Sequence, residues 1–108
     1  MLGFEKEIED FTKTVCETPI YLNFIEKKKI LKMDENLWNQ VGEYRKRKFD
    51  MQALLSGDEM FNRTEAFDKE YEWLLSDVRV SEFLDAELAV CRLLQKISTS
   101  LIMALDFE

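Results

Sequence analysis

The sequence predicts an all-α fold: about five helices, in hairpins packed on a long C-terminal helix, with the whole oligomerising. Three observations predict it. The chain has 108 residues but only three glycines and one proline, and strands and tight turns consume those residues. Apolar side chains recur three and four positions apart along most of the chain, which places them on single helix faces. Alternating apolar and polar strand patterns are absent. At 46% apolar residues the composition is globular. The length suits a single domain over 1–108.

Phe4, Ile8, Phe11 and Val15 open the first helix, at steps of four, three and four. Thr18-Pro19 ends it, because the residue before proline is pushed out of the α region. The same pair starts a second helix, with Thr18 as N-cap and Pro19 at the first helical position. That helix carries Tyr21, Phe24, Ile25 and Leu31 and a basic run. Asp34 is an N-cap for the third helix, and Met33 and Trp38 hold the two positions of a hydrophobic staple. The third helix runs to about Leu55 and Ser56 with Val41, Tyr44, Met51 and Leu55 on one side, and Gly57 suits its C-terminus. Ser56 to Arg63 reads as a loop. A fourth helix follows, capped by Asn62 or Thr64, with Phe67, Tyr71, Leu74 and Val78 as its apolar face. Ser76-Asp77 marks a weak break.

The last helix carries the most information. Val80, Leu84, Cys91, Leu94, Leu101 and Leu105 form one stripe. Phe83, Val90, Ile97 and Ala104 form a neighbouring one, and Leu88 and Ile102 widen the surface. Nothing interrupts it from about Val78 to Leu105, so it spans on the order of 40 Å at 1.5 Å per residue. Its apolar surface is wider than one partner helix covers. Self-association through Leu84, Leu88, Cys91, Leu94, Leu101, Ile102 and Leu105, as a homodimer or larger, is the expected way to bury it.

The expected location is the cytoplasm. Glu5, Lys6 and Glu7 stand where a signal peptide needs its apolar region, and Gly3 is one position late for myristoylation. The uncharged stretch Ile97 to Leu105 is too short for a bilayer, so no membrane contact is expected. Cys16 and Cys91 are far apart and form no CxxC motif, as free thiols in a reducing compartment do.

The chemistry of catalysis is largely missing. With no histidine, the commonest acid–base group and metal ligand are gone. Gly3, Gly42 and Gly57 are isolated, so no phosphate-binding loop forms. Acid pairs at helical spacing occur (Glu5 with Glu9, Asp68 with Glu72, Glu82 with Asp85), and a solvated face explains them better than a metal site, since bundle carboxylate sites add an E-x-x-H motif. Glu87 lies on the Val80–Leu84–Cys91 stripe, either reaching water at its edge or pairing with a cation across a subunit boundary. Cys16 and Cys91 read as small buried hydrophobes ahead of a shared metal or cluster site. Trp38 and Trp73 read as core or interface anchors. No cofactor, small-molecule substrate or enzymatic activity is expected.

Charge is unevenly spread. Residues 27–48 hold Lys27, Lys28, Lys29, Lys32, Arg45, Lys46, Arg47 and Lys48 against three acids, a balance of +5 in a chain of net charge −7. The second and third helices therefore form a basic hairpin on an acidic body. Lys28, Lys29, Lys32, Arg45, Lys46, Arg47 and Lys48 are the candidate partner-binding residues, for another regulatory protein or for RNA. Single-strand binders interleave aromatics with basic residues. Tyr44 and Phe49 flank Arg45 to Lys48, whereas Lys27 to Lys29 has only Phe24 and Ile25 beside it, which favours protein over RNA. Solvating a helix pair is the competing reading of the whole run.

The order of these features is similar to that of a known family. Thr18-Pro19-x-Tyr21-x-x-Phe24 follows a first amphipathic helix. Then come the Asp34 cap, a long polar helix containing Gln52, and Val80-x-x-Phe83-Leu84-x-Ala86-Glu87 continuing through Leu94, Gln95 and Ile97. This resembles the YlbF/YmcA family of small bacterial helical proteins, the YheA-like group, over nearly the whole chain. The resemblance implies an all-helical fold that associates through its long helices. It also implies a cytoplasmic regulatory role in protein complexes that influence RNA processing, with links to competence, biofilm formation and sporulation. Some members hold iron–sulfur clusters through cysteines near the C-terminus. This chain ends Ala104-Leu105-Asp106-Phe107-Glu108 instead, and has Ser76-Asp77 where Asn-Pro often precedes the last helix.

Overall fold

The computed structural model describes residues 3–54 and 57–105. They form six helices: α1 (Glu5–Cys16), α2 (Pro19–Lys32), α3 (Glu35–Leu54), α4 (Gly57–Glu70), α5 (Glu72–Leu75) and α6 (Val78–Leu105). No strand occurs among the described residues. The all-α class and the long C-terminal helix are as the sequence predicts. The expected ends of the third helix at Leu55 and Ser56, and the terminal Asp106 to Glu108, lie outside the described residues. The chain divides into two compact units. One comprises Met1–Lys28 with Phe83–Glu108, and the other Lys29–Glu82.

In the first unit, Thr18 ends α1 and caps α2. Its hydroxyl donates to the Val15 carbonyl at 2.7 Å and accepts from the Tyr21 N–H at 3.2 Å. The rings of Phe24 and the fully buried Phe83 stack with centroids 5.7 Å apart. Phe11, Val15 and Thr18 share an apolar groove with Leu93, Ile97 and Ser100. Residues 11–18 share that groove with 93–100, whereas Phe24 meets Phe83 nearer the start of α6. The strand of helix made by α1 and the start of α2 therefore runs antiparallel to α6. α1 buries no residue fully, so this unit is a thin helical layer.

The second unit has the denser core: Leu31, Leu37, Val41, Tyr44, Phe67, Tyr71, Leu74 and Val80 are buried. Asp34 caps α3 as expected, accepting from the Leu37 N–H at 3.1 Å. The staple does not close, because Met33 is 84% exposed. The ammonium of Lys32 lies 5.6 Å from the centroid of Trp38 instead. α3 packs chiefly against α4, through stacked Tyr44 and Phe67 (5.4 Å) and edge-on Tyr44 and Tyr71 (5.1 Å).

Two expected boundaries move. The loop placed over Ser56 to Arg63, with Asn62 or Thr64 as cap, gives way to helix from Gly57 onward. No proline interrupts residues 57–70, and polar composition alone does not stop a helix. Gly57 has φ +64, a backbone state that glycine reaches without a Cβ penalty. The expected fourth helix also splits. α4 ends at Glu70 and the four-residue α5 follows Tyr71, giving six helices where about five were expected. Val78, expected on the apolar face of that helix, is exposed at the start of α6.

Asp77 organises this start. Its carboxylate accepts from the Arg79 N–H at 2.9 Å and from the Arg79 guanidinium at 2.9 and 3.2 Å. The hydrogen bond from Arg79 outweighs desolvation and holds the Asp77 carboxyl below its ordinary range. Arg79 also reaches Asp34 at 3.3 Å. One guanidinium therefore ties the cap of α3 to the cap of α6.

Candidate functional site

The two stripes of α6 have different fates. Phe83 and Ala86 are buried, and Val90, Leu93 and Ile97 are half-buried. The neighbouring stripe starts buried at Val80, but Leu94, Leu101 and Leu105, with Leu88 and Ile102 that widen it, are each about half exposed, and Cys91 is exposed. Leu84 is half-buried. At 100° per residue, the groove-lining positions Leu93, Lys96, Ile97 and Ser100 lie on the side of α6 away from Leu88, Cys91 and Ile102. A contiguous aliphatic face of this kind marks an interaction surface more often than bare solvent exposure. Glu87, at its edge, is half-buried and is not an unpaired carboxylate.

The cysteines are not the buried hydrophobes that their neighbours suggest. Cys16 and Cys91 are both exposed. Helical periodicity put them on apolar stripes, but those stripes are only partly covered by this chain. Trp73 is likewise 58% exposed, with one face stacked on Tyr71 at 6.2 Å. Among the described residues, no three cysteine or carboxylate side chains gather where a metal would sit.

α6 is longer in apolar character than the uncharged stretch Ile97 to Leu105 suggests. By length and composition α6 qualifies as a bilayer span, because an 18-residue window of it tolerates two charges and stays apolar. Against that reading stand Arg92 and Lys96 near the middle of the helix, at about 2.5–3.5 kcal/mol each in a bilayer centre. Val80, Phe83 and Ala86 of the same helix are packed inside the chain.

The basic residues of 27–48 differ in their local contacts. Lys28 belongs to the first unit, with its ammonium 6.0 Å from the centroid of Phe24. Lys29 and Lys32 close α2. Arg45 begins ten residues into α3, on the order of 15 Å along its axis. The guanidinium of Arg47 donates to the Tyr71 hydroxyl at 2.6 Å and to Glu70 at 3.3 Å, and sits 5.4 Å from the centroid of Phe67 and 5.3 Å from that of Tyr71. Those bonds, Tyr71 first, hold it more firmly protonated than usual. Lys48 donates to the Tyr44 hydroxyl at 3.3 Å. Lys29, Lys32, Arg45, Lys46 and Arg47 are exposed, and Lys28 and Lys48 half-buried. Sequence spacing missed the Arg47 lock, because its partners lie 23 and 24 residues away.

Fold and surfaces together define a class: a small all-α protein that presents an apolar helix face and exposed basic residues, in a chain without histidine. The chain belongs to the YlbF/YmcA family. A family model described as control of competence regulator ComK, YlbF/YmcA, matches residues 5–106. No curated protein and no solved structure matches it. The family description is regulatory, which agrees with the role that the sequence resemblance implies.

Proposed function

We propose that the protein is a non-enzymatic cytoplasmic regulator that works through protein–protein contacts, and that it self-associates to do so. The observation that carries this reading is the exposed row Leu88, Leu94, Leu101, Ile102 and Leu105 on one helix. Soluble monomers rarely leave a contiguous apolar patch beyond a few hundred Å². The regulatory family description supports it, as does the lack of any histidine to run acid–base chemistry. Exposed Lys29, Arg45 and Lys46 supply a second, basic surface for an acidic partner. Base stacking is the weaker reading of that surface, since Tyr44, the aromatic preceding Arg45, is buried in the α3–α4 contact.

Light scattering after size exclusion at micromolar concentration tests the self-association. More than one chain per particle is the expected result. A clean monomer at that concentration removes the apolar face as the working surface.

A further inference from the structure

The groove between α1 and α6 lies wholly within the first unit, on the side of α6 away from Leu88, Cys91 and Ile102. Its volume is about 290 Å³, at the lower edge of the range for small-molecule sites. Phe11 and Val15 form one wall, and Leu93 and Ile97 form the other. The walls run over residues 11–18 and 93–100, so the groove is roughly 10 Å long at the helical rise. Phe11 stays 48% exposed and α1 buries no residue fully. The walls are therefore in place but only partly covered.

The α6 rim of this groove differs chemically from its walls. Arg92, Gln95, Lys96, Thr99 and Ser100 line a shallow polar depression, and Lys96 and Ser100 belong to the groove as well. Arg92 and Lys96 lie four residues apart, so they share a helix face. They are the only charged residues between Leu88 and Leu105. Among the described residues neither is in an ion pair, with Asp10 or Glu17 of the facing segment or with any other acid. An apolar trough thus opens beside two cations that the chain itself does not neutralise.

We infer that the groove binds a medium-chain fatty acid, with the hydrocarbon tail between α1 and α6 and the carboxylate at Arg92 and Lys96. The tail gains by leaving water for the four apolar walls, a gain that grows with each methylene covered. The head gains charge-assisted hydrogen bonds from a guanidinium and an ammonium. Length sets the chain class, since a groove of this span holds roughly eight carbons of an extended chain. The volume suits one such chain and not the paired tails of a phospholipid. The inference is independent of self-association, which uses the opposite side of α6.

Decanoate is the probe, titrated into the full chain to millimolar concentration while methyl signals are followed by two-dimensional NMR. Val15, Leu93 and Ile97 should shift together and saturate, while Leu88 and Leu101 stay in place. Affinity should rise about twofold per methylene from hexanoate to decanoate, as half-covered methylenes require, and level off in longer acids. Arg92→Gln combined with Lys96→Gln should weaken decanoate severalfold. Thr14→Trp, at an exposed position of the α1 wall, should fill the groove and abolish the shifts. Ser100→Trp should do the same from α6, so the test survives if one variant fails to fold by circular dichroism. Largest shifts at Leu88 and Leu101 would assign the tail to the opposite stripe and overturn the site. Undiminished affinity in the double glutamine protein overturns the anionic head, and undiminished binding in a folded tryptophan variant overturns the groove. Absence of saturable shifts at millimolar decanoate overturns the proposal whatever the oligomeric state.

Discussion

Arg47 shows how one residue can change meaning between sequence and structure. In the sequence it is the third of four consecutive cations and reads as part of a docking surface. In the fold it bridges α3 to the end of α4, bonded to Tyr71 and Glu70 and laid over two rings. Guanidinium suits the position because it donates in a planar fork and stacks on aromatic faces, which an ammonium does not do. Arg47→Met, which keeps the apolar stem and loses the donors, should lower the melting temperature by several degrees without changing oligomer size. Arg47→Lys should recover only part of the loss. Thermal denaturation followed by circular dichroism measures both, and an unchanged midpoint for Arg47→Met would show that the lock carries no stability. Any charge reversal aimed at the partner surface must spare this residue, or it tests the fold instead.

At the scale of the helix, boundaries follow local chemistry where a cap is present and long-range chemistry where it is not. Thr18 and Asp34 cap α2 and α3 with their own side chains, so spacing and residue type suffice to place those starts. The division of the expected fourth helix at Tyr71 has no such local mark. Tyr71 instead carries a hydroxyl held from α3 and a ring packed in the core. Asp34→Ala should cost about 1 kcal/mol of stability, measured by urea unfolding at fixed pH. The loss should exceed that of an ordinary cap, because Arg79 also gives up one of its two carboxylates. A change within a few tenths of a kcal/mol would show that water replaces the cap.

The whole molecule is acidic, with its cations concentrated in 27–48, and such asymmetry bears on partners rather than on fold. Lys29→Glu combined with Lys46→Glu reverses two exposed charges and leaves the Arg47 lock intact. Helicity and oligomer size should stay the same while the native partner is lost from an affinity pull-down. Retention of that partner at full strength would mean that the basic residues only solvate their helices. Fluorescence anisotropy with a single-stranded RNA oligonucleotide separates the RNA reading, which requires affinity to fall steeply with salt. No such binding at physiological salt is the expected outcome. Self-association belongs to this scale too, since Leu88, Leu94, Leu101, Ile102 and Leu105 of α6 stay about half exposed.

Sequence periodicity alone determined the helical class, the Thr18-Pro19 break, the Asp34 cap, the core positions Val41, Tyr44, Phe67, Tyr71 and Leu74, and the length of α6. All of these depend on neighbours within a turn or two, where spacing is geometry. Tertiary structure alone decided which positions of the two equally apolar α6 stripes are covered: Val80 and Phe83 are buried and Val90 and Ile97 half-buried, while Leu94, Leu101, Ala104 and Leu105 are exposed. It decided the exposure of Cys16 and Cys91 in the same way. It also tied Arg47 to Tyr71 and Glu70 and Asp34 to Arg79 across 45 residues, because a charge run records where cations are but not which carboxylate or ring the fold will bring to them.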